Sequence, residues 1–333
     1  MNHVKKNIIV WDLGATKCAA AWVVFDPHSP TVFHSKHSCD IKLRSCDSLE
    51  ALILKIEKHL NIEHKDVDTI CIGAAGIYNG KTLELDNGYP YEMPFMFLAE
   101  KYQWAPFEII HDYAPVVCST FWSTYTQSPI HKINDTIIDP YSRRVAVGVG
   151  TGLGLKDGIL FPDGNFWLGS NEMGHIGLSQ PIAASQKFLE LHHALTQKNH
   201  CSFEKILSGH GLLRLHKFLF PDTCIETPED LGELIKSSKA QETIDLFAFY
   251  LGLFIGTVQL SFMPAGGIWI TGGVVLKHLE IFDNAAFIEG MESLPAYLSQ
   301  RQKFALCVLS DHHHDAFMGG AYYAVKRLMN LNF

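Results

Sequence analysis

Apolar residues fall in short runs broken by glycine-centred polar turns, and these runs predict the order of elements. Residues 7–12 (NIIVWD) and 19–25 (AAAWVVF) flank a turn near Gly14 and predict a β-hairpin. Leu49, Leu52, Ile53, Ile56 and Leu60 recur at helical spacing, which predicts a helix over 49–60. A short buried strand over 69–72 runs into Gly73-Ala-Ala-Gly76, and residues 107–110 (FEII) predict another strand. Asp112 opens the next apolar segment. It therefore falls where a strand ends and a helix begins, the end of an open α/β sheet at which ligands bind.

The second half repeats the opening theme, with a strand over 145–147, a glycine turn over 148–154 and a return strand near 155–159. Residues 185–220 and 229–262 predict helices, 268–270 a strand ending at Gly272-Gly273, and 316–329 a closing helix. Residues 129–140 are polar and loop-like, and a domain boundary is expected just before them. The most apolar stretch, 246–270, is interrupted by Gln259, Pro264 and several glycines, so a buried helix followed by a strand fits better than a bilayer span. His312-His-His314 reads as a solvated loop.

At 333 residues the chain exceeds the usual size of one hydrophobic core, which predicts two domains. Its hydrophobic fraction of 47%, with 21 Phe and 6 Trp, provides for both. The net charge is −8 and no Lys/Arg cluster exceeds a pair, which argues against nucleic-acid or anionic-membrane partners. The first strand starts after six residues and ends in a polar turn, so neither a signal peptide nor an anchor is expected. Eight scattered cysteines without a CxxC pair suggest reduced thiols in a cytoplasmic protein and no zinc site.

The candidate chemistry lies in the turns and in a few acids. Glycine turns at strand ends let backbone N–H groups approach an anion, and a Thr hydroxyl adds a donor. Two such turns, each with Thr beside Gly, carry Thr16 and Thr151, although either is also compatible with an ordinary hairpin. Neither a GxxxxGK[ST] loop nor a dinucleotide fingerprint is present, because Gly148-Val-Gly150 opens a hairpin with no helix after it. Asp12 suits either a turn or Mg²⁺ held through water, and Asp112 suits either a helix N-cap or a general base. Glu172 and His175 are placed to converge on vicinal hydroxyls, the alternative being a surface loop, and Glu204, after Ser202, reads equally as a helix start.

Taken in order, these segments resemble the bacterial glucokinases of the actin-like sugar kinase superfamily, from about residue 7 to the C-terminus. The resemblance rests on Asp12-Leu-Gly-Ala-Thr16, Ile109-Ile-His-Asp112, Gly150-Thr-Gly-Leu-Gly154, Asn171-Glu-Met-Gly-His175, Glu204-Lys-Ile-Leu-Ser-Gly-His-Gly211 and Gly266-Gly-Ile-Trp-Ile-Thr-Gly-Gly273. It implies a two-domain α/β fold of the actin-like ATPase, ribonuclease H-like type, with ATP and sugar in an interdomain cleft. Residues 1–122 plus 309–333 would form the smaller domain and 123–308 the larger. It further implies Asp112 as catalytic base and His111, Glu172, His175 and Glu204 as sugar ligands. The ATP and phosphate site would comprise Asp12, Gly14, Ala15, Thr16 and Lys17, Gly150, Thr151 and Gly152, and Gly272 and Gly273, with Mg²⁺ on Asp12 through water.

The implied reaction is ATP-dependent phosphorylation of the 6-hydroxyl of glucose, the alternatives being a kinase for another hexose (mannose or an N-acetylated amino sugar) or a non-catalytic sugar-sensing protein of the same fold, and the family also suggests a homodimer. Two segments depart from the family pattern. His111 stands where Asn usually precedes the base, and the first turn reads Gly-Ala-Thr-Lys where Gly-Gly-Thr-Asn is common. The cysteine-rich zinc motif of the related repressor-kinase branch is missing.

Overall fold

The computed structural model describes residues 5–26, 33–85, 89–122, 131–198, 201–236, 239–309 and 312–330. The chain divides into two compact units: Met1–Ser128, Phe161–Phe166 and His312–Phe333 form the first, and Pro129–Leu160 with Trp167–Asp311 the second. The start of the expected loop over 129–140, with the boundary before it, lies outside the described residues.

In the first unit, β1 (Lys6–Leu13) and β2 (Lys17–Phe25) form the expected hairpin, and β3 (Phe33–Lys42) extends it. Helix α1 (Leu49–Leu60) buries Leu49, Leu52, Ile53, Ile56 and Leu60, the residues whose spacing predicts it. Ser48 caps its start by accepting from the Ala51 amide, and Asn61 ends it in the left-handed conformation. Next come β4 (Thr69–Ala74), the small hairpin β5 (Gly76–Tyr78) and β6 (Leu83–Leu85), α2 (Phe95–Lys101), β7 (Phe107–His111) and α3 (Tyr113–Phe121). The five-stranded sheet has the order β3-β2-β1-β4-β7, with β1, β4 and β7 parallel.

The second unit starts with β8 (His131–Lys132), a two-residue edge strand inside the segment expected to be loop. It pairs antiparallel with a strand over Leu306–Val308, and no periodic pattern can announce two residues. The second hairpin is β9 (Arg144–Val149) and β10 (Leu153–Leu160), its turn tighter than the expected 148–154. After β11 (Phe166–Leu168) come α4 (Gln186–Lys198), α5 (Phe203–Ile206), α6 (Gly209–Leu219), α7 (Pro228–Lys236) and α8 (Gln241–Phe262). The unit continues with β12 (Ile268–Thr271), α9 (Gly273–Lys277), α10 (Ala285–Glu292), α11 (Leu298–Arg301) and β13 (Leu306–Val308). Its sheet has the order β11-β10-β9-β12-β13-β8, so the hairpin-then-parallel scheme of the first unit is used twice.

Helix α8 is long and apolar enough to span a membrane by length and composition, but 89% of its most apolar window is buried within the protein. Ile244, Phe247, Leu251, Phe254 and Val258 on it belong to the second unit's hydrophobic core. Helix α12 (His312–Tyr323) returns to the first unit and continues as a π turn over Ala324–Leu328. It begins four residues before the expected 316, so the three histidines occupy a helical first turn rather than a loop; of their side chains only the exposed His314 is described. All eight cysteines are free thiols, and burial raises the pKa of those at Cys18, Cys71 and Cys118.

Three buried histidines tie the cores to pH. His64 accepts from Trp11 Nε1 at Nε2 (3.1 Å), meets Glu57 Oε1 at Nδ1 (2.8 Å) and stacks on Trp104. This pattern fits only a neutral ring, because a proton on Nε2 would face the indole N–H. Burial lowers the pKa of His64, against the opposing pull of Glu57, and burial lowers those of His192 and His216 too. Folded-state values below the unfolded one mean that the unfolded chain binds more protons in acid. Stability is therefore expected to be complete above pH about 6.5 and to fall as the pH drops through the lowered values. Melting temperatures from pH 7.5 to 5.5 should decline, and less steeply in His64→Gln; a flat profile would show that protonation carries no penalty.

Candidate active site

The parallel strands of the first unit end together. In register, Asp12 lies beside Gly73 and Gly73 beside Ile110; one step on, Leu13, Ala74 and His111 form the next row. Asp12 is thus the penultimate residue of β1, largely buried, and the Asp112 amide donates to the Ala74 carbonyl at 3.1 Å. Both acids lie at the carboxyl edge of one sheet. The first turn is closed by the Gly14 N–H donating to Lys17 O (3.0 Å), which leaves Ala15 and Thr16 at its tip. Lys17 pairs with Asp40 of β3, Nζ to Oδ2 at 3.4 Å.

Asp112 is the N-cap of α3, where its Oδ1 accepts from the Tyr113 N–H at 2.9 Å. The His111 Nδ1 lies 2.9 Å from the same oxygen and 3.2 Å from the Tyr113 nitrogen. A carboxylate has about four acceptor positions, so capping and substrate contact are compatible. The two readings open for Asp112 in the sequence do not exclude each other.

In the second unit, the Gly150–Gly152 turn is closed by the Gly150 N–H donating to Gly152 O (2.9 Å), and Gly209 N–H at the start of α6 donates to Gly150 O (2.9 Å). Gly272 takes φ 105° and ψ 150°, open essentially to glycine alone, and a Cβ there would overlap the Val149 backbone. The Gly272-Gly273 turn is thereby pressed against the end of β9, beside the Gly150 turn: a Cβ on Gly150 would stand 3.8 Å from the Gly273 nitrogen.

Glu172 precedes a 3-10 turn, Met173–His175, that lies against β10, where a Cβ on Gly174 would overlap the Leu153 carbonyl. The Phe203 N–H donates to Ile176 O (3.1 Å), which ties this turn to α5 and Glu204. His175 Nε2 is consequently 3.9 Å from Glu172 Oε2 and 3.8 Å from Glu204 Oε2. Glu204 reaches the phosphate-type turn as well, since a Cβ on Gly152 would stand 3.4 Å from its Oε2. Two carboxylates flanking an imidazole, all exposed or partly exposed, form a set that can accept from and donate to adjacent hydroxyls. Glu204 also stands in the first turn of α5, whose cap position is Ser202, so the helix-start reading holds beside this one.

A family model described as Glucokinase matches residues 9–327. The chain belongs to the glucokinase family. It is a sugar kinase, and curated members that it resembles include the glucokinases of Chelativorans sp. and Psychromonas ingrahamii. The first is 25% identical over 308 residues, covering 87% of this chain and 86% of the relative; the second is 24% identical over 319 residues, covering 89% and 93%. Among solved structures, a glucokinase from an Antarctic psychrotroph aligns with a TM-score of 0.78 at 19% identity, over 95% of this chain and 98% of that one. The Balamuthia mandrillaris glucokinase, solved in complex with glucose, aligns with a TM-score of 0.72 at 15% identity over 98% and 95%. The fold is that of the actin-like sugar kinases, as the resemblance implies.

Each unit of the kinase gathers its own part of the motif set. Asp12, Gly14, Ala15, Thr16, Lys17, His111 and Asp112 belong to the first, and Gly150, Thr151, Gly152, Glu172, His175, Glu204, Gly272 and Gly273 to the second. The motifs give no sign of the support beneath the Glu172 turn. Buried Asp157 pairs with half-buried Arg143 and with Asn171 just ahead of that turn, and the available signal was an acid within the return strand over 155–159.

The two glycines of the last turn separate stability from binding. Gly272→Ala is expected to destabilise the second unit by more than about 2 kcal/mol, from backbone strain plus overlap. Gly273→Ala, with open space around its Cβ, should leave the denaturation midpoint unchanged. Equal midpoints for the two variants would show that the turn relaxes freely.

Proposed function

We propose that this sugar kinase transfers the γ-phosphoryl group of ATP to the 6-hydroxyl of glucose. The observation that carries the proposal is the convergence of Glu172 and Glu204 on His175, with Glu204 also against Gly152. Hydroxyl-binding groups thus adjoin a glycine turn suited to phosphate. In the proposed roles, His175 donates to or accepts from a sugar hydroxyl while Glu172 and Glu204 accept from its neighbours. His111 takes a further hydroxyl with its ring and steadies Asp112 through Nδ1.

Asp112 receives the proton of the 6-hydroxyl as that oxygen bonds to the γ-phosphorus, and the bond from phosphorus to the β–γ bridging oxygen breaks, releasing ADP. The amides at the tip of each turn, with the hydroxyls of Thr16 and Thr151, meet the phosphate oxygens. Gly14 and Gly150 serve by shaping their turns, since their own N–H groups close them. Gly272 and Gly273 take the adenosine side.

Asp12, largely buried near the end of β1 and beside the first glycine turn, suits Mg²⁺ held through water, because magnesium keeps several waters and accepts one or two carboxylates plus phosphate oxygens. Bound there, the ion would neutralise phosphate charge. Free thiols throughout support a cytoplasmic setting.

The direct test is ADP release from Mg-ATP without sugar and then with glucose, mannose, fructose or N-acetylglucosamine. Glucose is expected to give the highest kcat/KM, and a different winner would overturn the glucose assignment. Asp112→Asn should lower kcat by about 10²-fold or more with sugar binding retained, since base and orienter are lost together. Near-normal turnover would remove Asp112 from the mechanism. Glu172→Gln should raise the glucose KM strongly with little change in the ATP KM; equal changes in both would assign it to general support instead.

A further inference from the structure

Behind the Glu172 turn lies a buried carboxylate that the phosphoryl transfer does not use. Asp157 on β10 is 3% exposed, and its carbonyl and both carboxylate oxygens meet the segment leading into that turn or the Arg143 side chain. Its main-chain carbonyl accepts from the Gly169 N–H at 2.9 Å, and its Oδ1 accepts from Asn171 Nδ2 at 3.1 Å. Its Oδ2 is 3.5 Å from Arg143 Nε, and the Arg143 guanidinium lies over the rings of Trp167 and Phe262, 5.6 and 5.9 Å from their centroids. The backbone at Gly169 comes so close that a Cβ would overlap the Asp157 carboxylate. Asn171 relays the contact: its Oδ1 meets the Met173 N–H at 3.4 Å, the first amide of the turn that follows Glu172.

Burial raises the Asp157 pKa, and Arg143 and Asn171 act against the shift. An apolar residue would satisfy the strand without this desolvation, and side chains carrying a site are held in place by buried hydrogen-bonded support. We propose that Asp157, acting through Asn171, is a positioning residue that fixes the Glu172–His175 turn in the geometry that binds sugar hydroxyls. The inference rests on the reading of Glu172 and His175 as sugar ligands and adds the device that sets their affinity. Asp157 touches no substrate. Its effect should therefore appear in sugar binding, with the ATP side and the transfer step left nearly intact.

The experiment compares Asp157→Ala, Asp157→Asn, Asn171→Ala, the Asp157→Ala/Asn171→Ala double variant and Glu172→Gln in steady-state kinetics with glucose and ATP varied separately. Asp157→Ala and Asn171→Ala are each expected to raise the glucose KM about tenfold, with the ATP KM within about twofold and kcat within about threefold. The double variant should be no worse than either single one, because both break the same relay. Asp157→Asn keeps a carbonyl oxygen for the Asn171 amide and should recover most of the glucose affinity. Asn171→Ala leaves the Asp157–Arg143 pair in place, so it remains informative if Asp157→Ala does not fold.

An unchanged glucose KM in Asn171→Ala, or equal rises in the glucose and ATP KM, overturns the inference even where Glu172→Gln raises the glucose KM. If Glu172→Gln itself leaves the glucose KM unchanged, the sugar assignment fails first and the inference fails with it.

Discussion

Parallel strands cannot be joined by tight turns, so their crossovers bring successive carboxyl ends to the same edge of a sheet. That constraint organises both units. In the first it sets Asp12, Gly73 and Ile110 in one row and His111 in the next, so residues a hundred positions apart share an edge. In the second it aligns Gly148 with Thr271 and brings the Gly272-Gly273 turn to the end of β9. A hairpin precedes the parallel strands in each sheet, and in the proposed function its turn serves as an anion cradle.

Close backbone approach brings the candidate residues of the second unit together. Gly272 against Val149 and Gly174 against the Leu153 carbonyl remove the side-chain layer that usually separates neighbouring segments. The sugar-type turn can then sit on β10, the return strand of the phosphate-type hairpin, and α5 packs behind it through the Phe203–Ile176 hydrogen bond. Glu172, His175 and Glu204 come from two segments separated by α4, and an oxygen of each acid falls within 4 Å of the His175 Nε2 because the supporting backbones touch. A buried carboxylate, Asp157, accepts from Asn171 just ahead of this turn.

In the proposed function, Asp112 at the sheet edge serves both fold and chemistry. Asp112 satisfies the first amide of α3 and is steadied by His111, while a carboxylate retains further acceptor capacity. Helix-capping chemistry and base chemistry require the same group at the same place, which is why sequence spacing alone left both readings open. Glu204 presents the same duality at the start of α5.

Much of the architecture was legible because it is local. Hairpin 1–2, α1 with its five buried residues, the strand before Asp112 and the long α8 each declare themselves by periodicity, glycine punctuation or capping residues. The ordered motifs likewise pointed to the family. Tertiary structure alone decided the two-residue β8, the helical state of His312–His314, the pairing of Lys17 with Asp40 and the relay from Asp157 to Asn171. Each of these depends on a partner far away in the sequence or on packing against another element, and a local pattern of apolar and polar residues carries no record of that partner.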